Sequence, residues 1–241
     1  MGRRLAAIAL LAALLATPAG AKPGATKLTV FAAASLTEAF QSFDRNETYS
    51  FAGSNTLAAQ LQQGAPADAF ASASPQYTQD LYRRKLVEKP VTFASNRLVL
   101  IVPRSNPAGL STVYDLARKD VKLVVAAPAV PVGSYTRTVL RKLGLSSVLA
   151  KVVSQESDVK GVVGKVALGQ ADAGFVYATD VKPVAGQATA IRIPAWAQPR
   201  VRYEIAVVSG SAHKAAARAW IKRVLGRQGQ AALARAGFGK P

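Results

Sequence analysis

The chain has 241 residues, with 31 Lys and Arg against 13 Asp and Glu for a formal charge of +18, a single histidine and no cysteine. Disulfides, thiolate nucleophiles and cysteine-bound metals are therefore excluded, and one histidine leaves few routes to acid–base catalysis. Half of the residues are apolar, which excludes a disordered chain, and the positive excess will draw anions toward the surface.

At the N-terminus Arg3 and Arg4 precede the apolar run LAAIALLAALLA and the small-residue pattern Ala19-Gly20-Ala21. That is the pattern of a secretory signal peptide over residues 1–21, cleaved after Ala21. The run falls well short of the roughly 20 residues a membrane-spanning helix needs. Without a cysteine there is nothing to carry a lipid anchor, so an exported, periplasmic protein is expected. The remaining 29 basic residues are scattered and rarely interleave with aromatics, which speaks for a solvated basic surface and against nucleic-acid binding.

Beyond the leader, short apolar or β-branched runs alternate with helical patterns. A strand at residues 28–33 runs into a helix at 36–43; strands at 48–52 and 69–73 lead into helices at 55–63 and 75–85. Further strands are expected at 97–102, 122–126, 175–178 and 203–208, with helices at 134–143 and 158–168 and two more after Ser211. Gly64, Gly144 and Gly169 stand where helix-ending glycines belong. The alternation predicts an α/β protein with mostly parallel sheets. In the basic C-terminal part, Lys214, Arg218 and Lys222 share one helix face, opposite Trp220, Ile221, Val224 and Leu225.

No G-x-S-x-G elbow, phosphate-binding loop or dinucleotide fingerprint is present. His213, at the start of a late helix, reads as a capping or solvent-facing residue. A repeated device stands out instead: in FAAAS-LTEAF, SFAGS-NTLAAQL, PAVPVG-SYTRTVL and SQESDV-KGVVGKV a strand or loop gives way to a helix through small or hydroxylated residues. A helix start carries unpaired N–H groups and a partial positive charge, so an anion is its natural partner. Ser35 with Glu38 reads as a capping box and Ser54 as a second helix start, and Tyr177 ends a strand with a phenol able to donate a hydrogen bond without adding charge.

Taken together, FAAASLTEAF, SFAGSNTLAAQLQQGAPADAFASA, NRLVLIVP, VPVGSYTRTVLRKLG and ESDVKGVVGKVALGQADAGFVYATDV closely resemble the periplasmic molybdate-binding proteins of bacterial ABC importers. The resemblance runs in order over nearly all of the mature chain. It implies a two-lobed periplasmic binding protein fold of type II, with the ligand in the cleft between lobes. NRLVLIVP and RYEIAVV would be the crossovers, residues 26–101 plus 206–241 the first lobe and 102–205 the second. It implies no enzyme and no cofactor, but a receptor for molybdate, and tungstate with it, that serves a membrane permease as a monomer.

By the same resemblance the oxyanion is held by neutral donors only: Ser35 and Ser54 through hydroxyl and backbone N–H, Val132 and Val159 through backbone N–H, and Tyr177 through its hydroxyl. Two departures from the family pattern are noted. QSFDRNETYS is a short link after the first helix, and Val132 replaces a smaller residue, which would tighten the pocket. Glu156 and Asp158, near the Val159 loop, are expected to face solvent. The competing readings are a receptor for sulfate or phosphate and, from a different class, a secreted hydrolase.

Overall fold

The computed structural model describes residues 26–118 and 120–241, so the expected leader and its cleavage after Ala21 lie outside the described residues. The strands are β1 (Thr29–Ala33), β2 (Thr48–Ala52), β3 (Ala69–Ser72), β4 (Val91–Asn96), β5 (Leu98–Pro103), β6 (Leu123–Ala126), β7 (Val152–Glu156), β8 (Ala173–Tyr177), β9 (Ala188–Arg192) and β10 (Val201–Val207). The helices are α1 (Thr37–Phe43), α2 (Ser54–Gln62), α3 (Pro75–Arg83), α4 (Asp115–Arg118), α5 (Pro131–Lys142), α6 (Val159–Ala167), α7 (Ala178–Val181), α8 (Lys214–Leu225) and α9 (Arg227–Ala236).

Two five-stranded sheets result, in the orders β2-β1-β3-β10-β4 and β7-β6-β8-β5-β9. Each has three parallel strands, then an antiparallel strand (β10 in the first, β5 in the second) and an edge strand beyond it. The first sheet shows why the strand sequences are almost wholly apolar. Val30 and Ala32 point to one face, with Phe40 of α1 and Trp220 of α8, while Phe31 points to the other, with Leu57 and Leu61 of α2 and Leu81 of α3. A strand covered by helices on both faces must be apolar at every position rather than at every second one. Trp220 stands edge-on to Phe40 at 5.4 Å between ring centroids, the packing expected for the apolar face of α8.

The chain passes between the sheets twice, at Arg97 between β4 and β5 and across residues 193–200 between β9 and β10. The lobe limits drawn from sequence, after Ile101 and before Ala206, cut through β5 and β10, whereas β5 pairs wholly in the second sheet and β10 wholly in the first. The Gln198 side chain stitches the two passages together, accepting from Leu98 N–H at 2.9 Å and donating to Leu98 C=O at 2.8 Å.

Three strands were not expected from sequence, β4, β7 and β9, and all three are sheet edges. Gly64, Gly144 and Gly169 end α2, α5 and α6 with positive φ, as read. Helix α5 begins at Pro131, three residues before the expected start, because Val130 takes the extended cap conformation and proline suits the first helical position.

Candidate functional site

The four helix starts singled out by sequence converge. Ser35, Ser54, Val132, Val159 and Tyr177 line one small cavity between the sheets, together with Gly53, Ala73, Pro131, Asp158 and other small residues. Ser35 lies in the 3-10 turn Ala34–Leu36 that joins β1 to α1. Ser54, Val132 and Val159 occupy the first turns of α2, α5 and α6, where N–H groups have no acceptor within their own helix. Tyr177 closes β8 and opens α7.

Backbone fit sets these positions. A Cβ on Gly133 would fall 2.1 Å from Ala127 C=O, so only glycine lets the start of α5 lie against the loop after β6. A Cβ on Gly53, the cap of α2, would fall 2.5 Å from Ser157 C=O, at the point where the first lobe meets the second.

The polarity of the polar groups can be worked out from their partners. Ser54 Oγ accepts from Ala73 N–H at 3.0 Å, and since a backbone N–H can only donate, the hydroxyl proton of Ser54 is left for the cavity. Tyr177 is buried and its hydroxyl has no hydrogen-bond partner. Burial, with Tyr203, Tyr135 and Asp180 nearby, holds that phenol well above its ordinary pKa, so it stays protonated and able to donate. A buried hydroxyl without a partner costs free energy that a ligand accepting its proton would recover. Among the described residues no Lys or Arg lines the cavity.

The walls are drawn together by contacts across the cleft. Lys160 of α6 reaches Glu38 of α1 at 2.7 Å, Tyr77 of α3 donates to Ala129 C=O, and Asn96 Nδ2 donates to Thr179 Oγ1 at 3.0 Å. Lys160 Nζ also lies 3.7 Å from the fully buried Asp180, whose carboxylate accepts from Tyr177 N–H at 3.1 Å. Desolvation pushes the Asp180 carboxyl up to about 7 against the opposing pull of Lys160 and that N–H bond.

Several expectations are corrected. Ser35 and Glu38 form no capping box: the Ser35 hydroxyl bonds Tyr203 Oη at 2.8 Å, and Glu38 is turned toward Lys160. Asp158 is not simply at the surface but lines the cavity and caps α6, Oδ1 accepting from Lys160 and Gly161 N–H, which engages its charge. Glu156 is paired with Lys165 at 2.7 Å. The Val132 side chain belongs to the buried apolar cluster. His213 does lie beside an aspartate and a serine, but Ser211 Oγ donates to Asp68 at 2.6 Å rather than to the imidazole, so the three form a brace and not a nucleophile with its base. Among the described residues no group of three or more His, Cys, Asp or Glu could hold a metal ion. Gly53, Lys160 and Tyr203 were missed as supports of the site because their partners Ser157, Glu38 and Ser35 lie far away in sequence, whereas the cap that turns Asp158 inward is local, to N–H groups two and three residues on.

A family model for bacterial extracellular solute-binding proteins matches residues 28–239. The chain belongs to that family. This solute-binding protein is 38% identical over 235 residues to the molybdate-binding protein ModA of Mycobacterium tuberculosis (strain ATCC 25618 / H37Rv), covering 93% of this chain and 89% of the relative. To ModA of Escherichia coli (strain K12) it is 32% identical over 228 residues, 88% of each chain. The solved periplasmic molybdate-binding protein of Azotobacter vinelandii matches in fold with a TM-score of 0.79 at 23% identity, covering 89% of this chain and 100% of that one. The fold is thus the expected two-lobed α/β type II fold of periplasmic binding proteins.

Proposed function

We propose that this solute-binding protein is an extracytoplasmic receptor for a tetrahedral oxyanion, molybdate and with it tungstate, which it delivers to the membrane permease of an ABC importer. Ser35, Ser54 and Tyr177 would donate through hydroxyls, and Ser35, Ser54, Val132 and Val159 through backbone N–H groups. The observation that carries the reading is the cavity itself: proposed donors from five helix starts converge where, among the described residues, no cationic side chain enters and a buried phenol lacks an acceptor. Hydrogen bonds to a desolvated dianion are charge-assisted and need no countercharge when helix starts supply the field. The molybdate-binding relatives support the choice of anion.

Thermal unfolding against a panel of oxyanions tests this. A ligand at a hundredfold its dissociation constant adds about 2.7 kcal/mol to stability. Molybdate and tungstate should raise the melting temperature far more than sulfate or phosphate, because donors set for longer metal–oxygen bonds are overstretched on smaller anions. Equal stabilisation by sulfate would assign the cavity to another anion, and no response to any oxyanion would overturn the reading.

A further inference from the structure

We propose that Tyr203 is a positioning residue which, held by Asn96 at the crossover between lobes, orients the Ser35 hydroxyl so that its proton points into the cavity. This rests on the oxyanion reading above and extends it. The Ser35 Oγ to Tyr203 Oη distance of 2.8 Å leaves open which group donates, and the surrounding bonds favour Tyr203 as the donor. Arg97 N–H can only donate, and it does so to Asn96 Oδ1 at 2.9 Å, which fixes the side-chain amide. Asn96 Nδ2 therefore faces Thr179 Oγ1 at 3.0 Å and, in the longest link of the chain, Tyr203 Oη at 3.5 Å.

Receiving a donor from Asn96, Tyr203 has its own proton for Ser35 Oγ. The other nearby oxygen, Tyr177 Oη, is outside hydrogen-bonding geometry. Ser35, accepting from Tyr203, keeps its single proton for the ligand, as Ser54 does by accepting from Ala73. The ring of Tyr203 cannot drift, because Phe93, Tyr177 and Phe238 stand edge-on around it at 6.2, 5.8 and 5.2 Å. Burial holds its phenol well above the ordinary value, so it remains a donor. Asn96 ends β4 in the first lobe and Thr179 lies in α7 of the second, so the amide that supports Tyr203 is itself anchored across the crossover between the lobes.

The test is a double-mutant cycle read by titration calorimetry with molybdate, on the wild type, Tyr203→Phe, Ser35→Ala and the double variant, with Asn96→Ala as a second probe. Tyr203→Phe keeps the ring and removes only the hydroxyl. It should weaken binding about fivefold to thirtyfold in the wild-type background and have almost no effect once Ser35 is alanine; Asn96→Ala should show the same pattern at about twofold to fivefold. Unliganded melting temperatures separate any loss of fold from loss of affinity. Equal losses in both Ser35 backgrounds, or unchanged affinity in Tyr203→Phe, would overturn the inference while leaving the receptor reading intact. If the wild type binds another oxyanion instead, the receptor reading changes and the same cycle with that anion still decides the role of Tyr203. If it binds none, both fall.

Discussion

The two walls of the cavity are built from different materials. The first lobe presents Ser35 and Ser54, side-chain hydroxyls each held by a partner behind it, Tyr203 for one and Ala73 N–H for the other. The second presents the backbone at the starts of α5 and α6, where side-chain identity matters little, and one phenol with nothing behind its hydroxyl. A wall of side chains can be dismantled by ordinary substitution; a wall of backbone yields only to proline. On the proposed reading, the first lobe would be tuned through what supports its donors, and the second through where its helices begin.

The largest effect expected from this contrast lies behind the second wall, where Asp180 holds the turn that carries Tyr177. Its carboxyl is raised to about 7 from an ordinary 3.8, so between those pH values the native state keeps a proton that the unfolded chain has released. Stability should therefore fall as pH rises from about 4 to about 7 and then level off, by an amount on the order of 4 kcal/mol at most. Denaturant unfolding from pH 4 to 8 reads this, and Asp180→Asn should flatten the profile. A profile with the same slope in both proteins would place the titration elsewhere.

Next come the donors. Val159→Pro removes a backbone N–H at the first position of α6, where proline is tolerated and where the preceding Asp158 is already extended at φ −157° and ψ 177°. Molybdate affinity should drop about tenfold to a hundredfold, as it should for Ser54→Ala and Tyr177→Phe, each losing a bond worth about 1.5–3 kcal/mol. Val159→Ala, which keeps the N–H, should bind nearly as the wild type does. Loss of binding in Val159→Ala as large as in Val159→Pro would mean the second wall works through side chains after all.

Legibility from sequence followed the same divide. Central strands such as Leu98–Pro103 and Leu123–Ala126 are apolar at every position and stand out in the chain, whereas the edge strands Val152–Glu156 and Ala188–Arg192 are largely or partly exposed and mix polar with apolar residues, so they look like loops. The five proposed donors could be named because each sits on a strand-to-helix junction with a local signature and a family resemblance. The supports could not. Tyr203 lies 168 residues from Ser35, and nothing in RYEIAVV announces a hydroxyl partner. The Ser-Leu-Thr-Glu pattern misled for the same reason, since Tyr203 and Lys160 bond the two side chains that would have made a local cap.

Smaller effects are expected where the walls touch. The Lys160 to Glu38 pair is partly exposed, with 29% and 42% of the side chains accessible, so it should contribute little and only at low salt. Glu38→Gln should weaken molybdate binding about threefold at low ionic strength and not at all at high, as calorimetry at two salt concentrations would show. A loss that persists at high salt would make the pair part of the site rather than a latch over it. Smallest of all, Val132→Ala keeps the backbone donor and should leave affinity within about twofold while lowering stability by about 2 kcal/mol through lost packing. A gain of affinity for larger anions would instead show that the valine side chain limits the width of the cavity.

The meeting of Gly53 with Ser157 C=O bears on how the cleft could measure its occupant. Main chain against main chain is an incompressible contact: no rotamer can turn aside and no side chain can be shortened. If closure ends there, the gap between the jaws is a fixed gauge, set by the polypeptide rather than moulded by the guest. An anion too small would rattle between donors it cannot reach at once, and one too large would hold the jaws ajar. Any side chain at position 53 would act as a shim, and the gauge would read wrong for every guest.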